Sequence, residues 1–291
     1  MAGLRQTGPE PGSGQLASGP DGGLASAPPY LKELLALASE LAHDAGRVHI
    51  EGRLGALSIE TKSSPTDLVS QVDRGAERLI VDRLRDVRPD DAVLAEEGAA
   101  HKGTSGVRWV IDPLDGTTNY VYGYPAFAVS IAVEIDGQPQ IGVVHDSSSG
   151  HVYRAISGFG AVCDDCPLQV REQPDLAKAL VATGFSYEAA QRERQGLVLA
   201  RLLGRVRDIR RGGSAALDLC HVAAGHVDAY WEVGLAPWDY AAGVVIAREA
   251  GAEVLVLDVA PGRGPAGVAA PPSLMPDLLR LLREAEALVP A

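Results

Sequence analysis

Three cysteines in 291 residues, an odd number in a long chain, do not make a disulfide framework, so reduced thiols are the default. Long apolar runs are lacking too: none approaches the roughly 20 residues that cross a bilayer. The opening MAGLRQTGPEPGSGQ has no apolar centre of the kind a secretory signal carries, and a cytoplasmic location without membrane attachment is expected. Positive charge is the third shortage, with 26 Lys and Arg against 38 Asp and Glu and a formal charge of −12. Nucleic-acid binders draw most of their affinity from cations that neutralise phosphates, so no nucleic-acid partner is expected. The remaining composition, 46% hydrophobic and 22% charged, is that of a globular chain able to bury a large core.

Gly, Pro, Ser and Ala dominate residues 1–29 without a hydrophobic period, which predicts a flexible tail. Leu31, Leu34, Leu35, Ala38, Leu41 and Ala42 then recur at helical spacing, predicting an amphipathic helix over 30–53. The stretch LSIETKSSPTD carries breakers and reads as an exposed loop or loose hairpin. A helix over 76–87, a buried strand over 92–97 and a strand over 108–116 follow. FAVSIAVEI, QIGVVHD and HVYRAI read as antiparallel neighbours. Beyond about 166, strands near 179–185, 206–209, 228–233, 254–257 and 267–270 are interspersed with helices over 188–203, 214–225, 238–252 and 273–288. The pattern is α+β, in two tightly packed halves of about 30–165 and 166–291.

Acids cluster at element ends: Asp73, Glu96 with Glu97, Asp112 with Asp115, and Asp239. Carboxylates gathered at the edge of a packed sheet repel one another unless a divalent cation intervenes. An oxygen-only donor set with no His or Cys pair at ligand spacing favours Mg²⁺, Mn²⁺ or Ca²⁺ over zinc. In DPLDGTTN, Pro113 stiffens a turn on which Asp112 and Asp115 can converge, and Leu114 offers only its carbonyl. The amides of Gly116, Thr117 and Thr118 can cradle an anion beside that metal.

The ordered set DLVSQVD, AEEG, DPLDGTTN and WDYAAG resembles the inositol monophosphatase family, over most of the chain from about residue 30. GSAALDLCHVAAGHVDAYWEVG is especially similar to its bacterial members. The resemblance implies a layered α/β/α/β/α sandwich, commonly homodimeric, that hydrolyses myo-inositol 1-phosphate or a similar small phosphate monoester with Mg²⁺. It implies that Glu96, Asp112 and the Leu114 carbonyl bind one ion, that Asp112, Asp115 and Asp239 bind a second, and that Asp73 with Thr117 activates water. Gly116 and Thr117 amides would meet the phosphate; Glu232, Gly213, Ser214 and Ala215 match positions that meet the polyol. Lys62, Ser63, Ser64 and Pro65 are similar to a mobile loop covering a weaker metal site. Histidinol phosphate or another sugar phosphate is an alternative substrate, and a regulatory binding scaffold that keeps the fold is an alternative of another class.

Other features are read as structural. Cys163 and Cys166 form C-D-D-C without a second pair, and Cys220 falls in an apolar helix. His145 and His151 lack a nucleophilic serine elbow, GFG at 158–160 is no dinucleotide fingerprint, and Trp109, Trp231 and Trp238 read as walls.

Overall fold

The computed structural model describes residues 23–54, 59–61, 68–259 and 264–288. Helix α1 (Pro29–Gly52) opens on a proline, whose missing N–H is no loss in a first turn, and buries the predicted leucine and alanine stripe. The short hairpin of β1 (Ile59–Thr61) and β2 (Leu68–Ser70) leads straight into α2 (Gln71–Val87).

A first sheet is built from β3 (Ala92–Ala95), β4 (Ala100–His101) and β5 (Val107–Asp115) and, after the short helix α3 (Thr117–Tyr122), from β6 (Ala128–Ile135), β7 (Gln138–Asp146), β8 (Val152–Ile156), β9 (Ala161–Cys163) and β10 (Cys166–Pro167). Its order is β10-β9-β8-β7-β6-β5-β3-β4, antiparallel except where β3 meets β5. A second sheet is built from β11 (Leu180–Thr183), and past α4 (Ala189–Leu202) from β12 (Asp208–Arg210). It continues through α5 (Ala215–Ala223), β13 (Ala229–Val233), α6 (Pro237–Glu249), β14 (Glu253–Leu257) and β15 (Ala266–Ala270), and the fold closes with α7 (Met275–Glu284). The order is β12-β11-β13-β15-β14, with β11 parallel to both neighbours.

Period-two alternation divides the core into layers. Trp109 and Ile111 face α1 and α2, whereas Val110 between them faces α5 and α6. In the second sheet Tyr230 faces α5 and α6, and Trp231 faces α4 and α7. The five layers are therefore α1–α2, first sheet, α5–α6, second sheet, α4–α7, the α/β/α/β/α sandwich that the sequence implied. Each large side chain so enclosed contributes about 1.5–3 kcal/mol. Gly142 on β7 lets the middle layer approach closely, because a Cβ there would lie 2.3 Å from the carbonyl oxygen of Ala242. That contact sets the height of α6, whose first turn carries Asp239, over the first sheet.

Several boundaries differ from expectation. Residues 1–22 of the segment read as a tail lie outside the described set, but a 3₁₀ turn at Gly23–Ser26 and the buried Ala27 pack against the first core, because Ala27 and Leu24 supply apolar surface that composition averages conceal. Helix α2 begins at Gln71 rather than 76, so Asp73 lies in its first turn and is buried. The last helix is shorter than predicted, and the small strands β4, β9 and β10 were not anticipated, their two or three residues being too few to show a period.

Candidate active site

Asp112 and Asp115 would point to opposite faces of a regular strand, since their spacing of three is odd. The register between β5 and β6 shifts between these two residues: Asp112 pairs with Ser130 and Asp115 with Ala128, so one extra residue is accommodated on β5. Pro113, which has no N–H for a ladder, sits in that irregularity. The bulge returns both carboxylates to one side. Gly116 ends the strand with φ 90°, and a Cβ there would lie 2.7 Å from the Ala126 carbonyl oxygen, so glycine is required on both counts.

Each aspartate of the cage commits one oxygen to a donor of the protein. Asp112 Oδ1 accepts from the Leu114 amide at 2.9 Å and Asp239 Oδ2 from the Ala236 amide at 2.7 Å. Asp115 Oδ2 accepts from the Ser214 hydroxyl at 2.6 Å and the Ala216 amide at 2.8 Å, across 99 and 101 residues of sequence. Glu77 of α2 receives the amides of Glu97 and Ala99 at 2.7 and 3.2 Å, shaping the turn that presents Glu96. Asn119 donates to the carbonyls of Ala126 and Gly212 at 2.7 and 2.9 Å, tying the end of the motif to the loop before α5.

Burial, compounded by Glu96, Asp115 and Asp239, pushes the Asp112 carboxyl well above the ordinary carboxylate range. Burial does the same to Asp239, with Asp115, Glu96 and Glu232 adding to it. Asp115 rises only to about 6, because the Ser214 and Ala216 donors oppose its burial. Acids gathered so closely, offering oxygen donors alone beside the Leu114 carbonyl, fit a hard divalent cation and not a thiolate or imidazole metal.

The cage opens into a cavity of about 360 Å³. Glu96, Asp112, Leu114, Asp115, Gly116, Thr117, Gly213, Ala215, Glu232 and Asp239, all singled out in the sequence, line it. Asp73 and Ser214 do not. They are buried beneath it, Asp73 accepting from the Thr117 hydroxyl at 2.8 Å and Ser214 supporting Asp115. Lys62, Ser63, Ser64 and Pro65 lie outside the described residues.

Glu232 is brought in by Gly184, at which a Cβ would come within 2.1 Å of its carboxyl group. Its pKa is pushed up to about 7 by burial, against the hydrogen bond from Tyr230 and the nearby Arg211. Gly184, Ser186, Tyr187 and Arg211 line the cavity and went unnoticed in the sequence. Position offers the available signal: 184–187 follows the end of β11, whose two neighbours are parallel to it, where crevices form in such sheets. The C-D-D-C segment makes the β9–β10 turn, where Asp164 accepts from His151 and from the Val152 amide, so ion pairing and turn geometry account for it.

Layering of this kind around an oxygen-donor cage suits chemistry assisted by a divalent cation. The family model described as the inositol monophosphatase family matches residues 30–286, and the chain belongs to that family. It is 46% identical over 254 residues to the inositol-1-monophosphatase of Mycobacterium leprae, covering 82% of this chain and 86% of that protein. It is 41% identical over 224 residues to a protein of Pasteurella multocida named Nus factor SuhB, covering 76% and 84%. Among solved structures, Mycobacterium tuberculosis SuhB superposes with a TM-score of 0.76 at 41% identity, over 88% of this chain and 98% of that one.

Proposed function

We propose that the chain hydrolyses a small polyol phosphate, myo-inositol 1-phosphate or a close analogue, with Mg²⁺ in the cage. The observation carrying this reading is that the convergent acids share one cavity with Glu232 and with Thr117, whose hydroxyl is held from beneath by Asp73. When bound, divalent ions there would offset charge on the phosphoryl oxygens and make water a better nucleophile.

Thr117 has one hydroxyl hydrogen, and donating it to Asp73 turns the lone pairs of Oγ1 outward to accept from a water. As that water attacks phosphorus the ester P–O bond breaks, the water's proton passes to Thr117 and the threonine proton to Asp73, and the alcohol oxygen leaves as an alkoxide that takes a proton from solvent. The Leu114 carbonyl, 3.0 Å from the same hydroxyl, competes for the hydrogen, and a cation held by that carbonyl would remove the competition. By the family resemblance, the Gly116 and Thr117 amides receive the phosphate, and Gly213, Ala215 and Glu232 meet the alcohol, while Ser214, which that resemblance also puts beside the polyol, is buried and acts through Asp115. Glu232 selects a polyol because a buried acceptor left without a hydroxyl is costly. The same resemblance supports a homodimer. A cytoplasmic location is consistent with the described residues containing no helix long and apolar enough to cross a membrane.

Phosphate release titrated with Mg²⁺ across inositol 1-phosphate, histidinol phosphate, fructose phosphates and nucleotide monophosphates tests the reading. Inositol 1-phosphate should lead. Histidinol phosphate leading would move the substrate to the alternative, and activity unaffected by chelators would overturn the metal chemistry. The similarity to proteins named Nus factor favours a second reading, a regulatory scaffold. Partners retained by Asp112→Asn, together with negligible phosphatase activity in the parent, would support it.

A further inference from the structure

His49 lies in the last turn of α1, wholly enclosed, 64 residues before the motif it meets. Its Nε2 is 2.9 Å from the carbonyl oxygen of Pro113, and its Nδ1 is 2.9 Å from Ser147 Oγ, which lies 3.2 Å from His145 Nδ1. A carbonyl only accepts, so Nε2 carries the hydrogen. Nδ1 then accepts from the Ser147 hydroxyl, and Ser147 Oγ is left to accept from His145. One assignment of hydrogens satisfies the whole chain. Burial lowers the His49 pKa to about 4, which keeps this neutral tautomer in place near neutral pH.

The Pro113 carbonyl and the Leu114 amide belong to one planar peptide group and turn together. The amide side is held by Asp112 Oδ1 at 2.9 Å, and the carbonyl side by His49. Pinned at both ends, the peptide commits Oδ1 of Asp112 and leaves Oδ2 for the cage. A further tie comes from Tyr120 of α3, whose hydroxyl donates to the His49 carbonyl at 2.8 Å. An apolar residue of similar bulk at 49 would strand the Pro113 carbonyl in the core. An orphaned buried acceptor is costly, and rotation of the 113–114 peptide would relieve that cost at the expense of the Asp112 contact.

We infer that His49 is a positioning residue for the acid cage, setting through the Pro113 carbonyl the orientation of the 113–114 peptide and so the aim of Asp112. This rests on the reading that the cage binds divalent cations. The test is calorimetric titration of the full-length chain with Mg²⁺, without substrate, on the parent, His49→Leu, His49→Gln and Ser147→Ala, with melting in chelator to verify folding. His49→Leu should weaken Mg²⁺ binding about 10–100-fold, the range for losing a residue that orients a metal ligand. His49→Gln, whose amide can donate to the same carbonyl, should recover most of the affinity, and Ser147→Ala should lose a few-fold. A folded His49→Leu with the parent's affinity overturns the inference. Should that variant not fold, Ser147→Ala binding as tightly as the parent overturns it instead. A parent that binds no divalent cation overturns the cage reading, and this inference with it.

Discussion

The hydroxyl of Ser214 donates to Asp115 Oδ2 at 2.6 Å, joining the end of β5 in the first sheet to the N-cap of α5 in the middle layer. The same Ser214 oxygen accepts from the Leu217 amide at 3.2 Å, so one side chain both caps a helix and orients a cage acid. Ser214→Ala should lower stability by about 1 kcal/mol through the lost cap. It should also weaken divalent-cation binding, because Asp115 loses a donor that favours its charged form. Denaturant melts and Mg²⁺ titration read the two effects, and an unchanged Mg²⁺ affinity would separate Ser214 from the cage.

Thr117→Ala removes the hydroxyl held by Asp73 and leaves the backbone of α3 untouched. Turnover should fall by about 10²–10⁴-fold, the usual worth of a proton relay, while the melting temperature in Mg²⁺ stays near that of the parent. Turnover close to the parent's would remove Thr117 from the proposed relay.

Cation binding should stabilise the fold by relieving repulsion among buried carboxylates. Mg²⁺ at 100 times its Kd should add about 2.7 kcal/mol, read as a rise in melting temperature that chelator reverses. Asp112→Asn should abolish that rise, since Asp112 lies among Glu96, Asp115 and Asp239. A variant that still responds fully to Mg²⁺ would show the ion binding elsewhere.

Glu232→Gln should lower the preference for inositol phosphate over a simple phosphate monoester about tenfold or more, as expected for a lost hydrogen bond to a charged acceptor. Metal affinity should change far less, because Glu232 is held by Tyr230 outside the cage. Equal losses toward every monoester would contradict a role in specificity.

His49 should contribute a loss of stability on acidification through the histidine range, against the opposite contribution of Asp112, Asp115, Asp239 and Glu232, whose raised carboxyls take up protons there, so the effect is read as the difference between parent and variant. His49 titrates at about 4 in the fold against 6.5 in the open chain. Between those values the unfolded chain binds a proton the folded one refuses, so each pH unit lost costs about 1.4 kcal/mol. Urea melts between pH 7 and 4 should therefore show a shallower acid limb for His49→Gln than for the parent. Parallel limbs would mean that His49 is protonated in the folded state.

Local pattern made much of the fold legible. Leucine spacing marks α1, the apolar run Trp109–Val110–Ile111 marks a buried strand, and DPLDGTTN marks a convergent turn. The loop 184–187, Arg211 and His49 stayed hidden, because a lone glycine, arginine or histidine has no period and its meaning depends on what lies opposite. Resemblance alone linked Asp73 to Thr117 in the sequence, since nothing local sets that acid apart; the fold brings the two, 44 residues apart, into contact.

By itself the chain's sequence determined which segments are helix or strand and which acids stand at their ends, since those follow from side-chain period and turn chemistry within a few residues. Tertiary structure alone decided that a bulge at Pro113 brings Asp112 and Asp115 to one side, that Gly142 sets the height of α6 and hence of Asp239, and that Ser214 and His49 brace the motif from other layers. The physical reason is range: propensity acts along neighbouring residues, whereas the aim of a carboxylate is set by donors and close packing 60 to 100 positions away, as the separations of 64 for His49–Pro113 and 99 for Ser214–Asp115 attest.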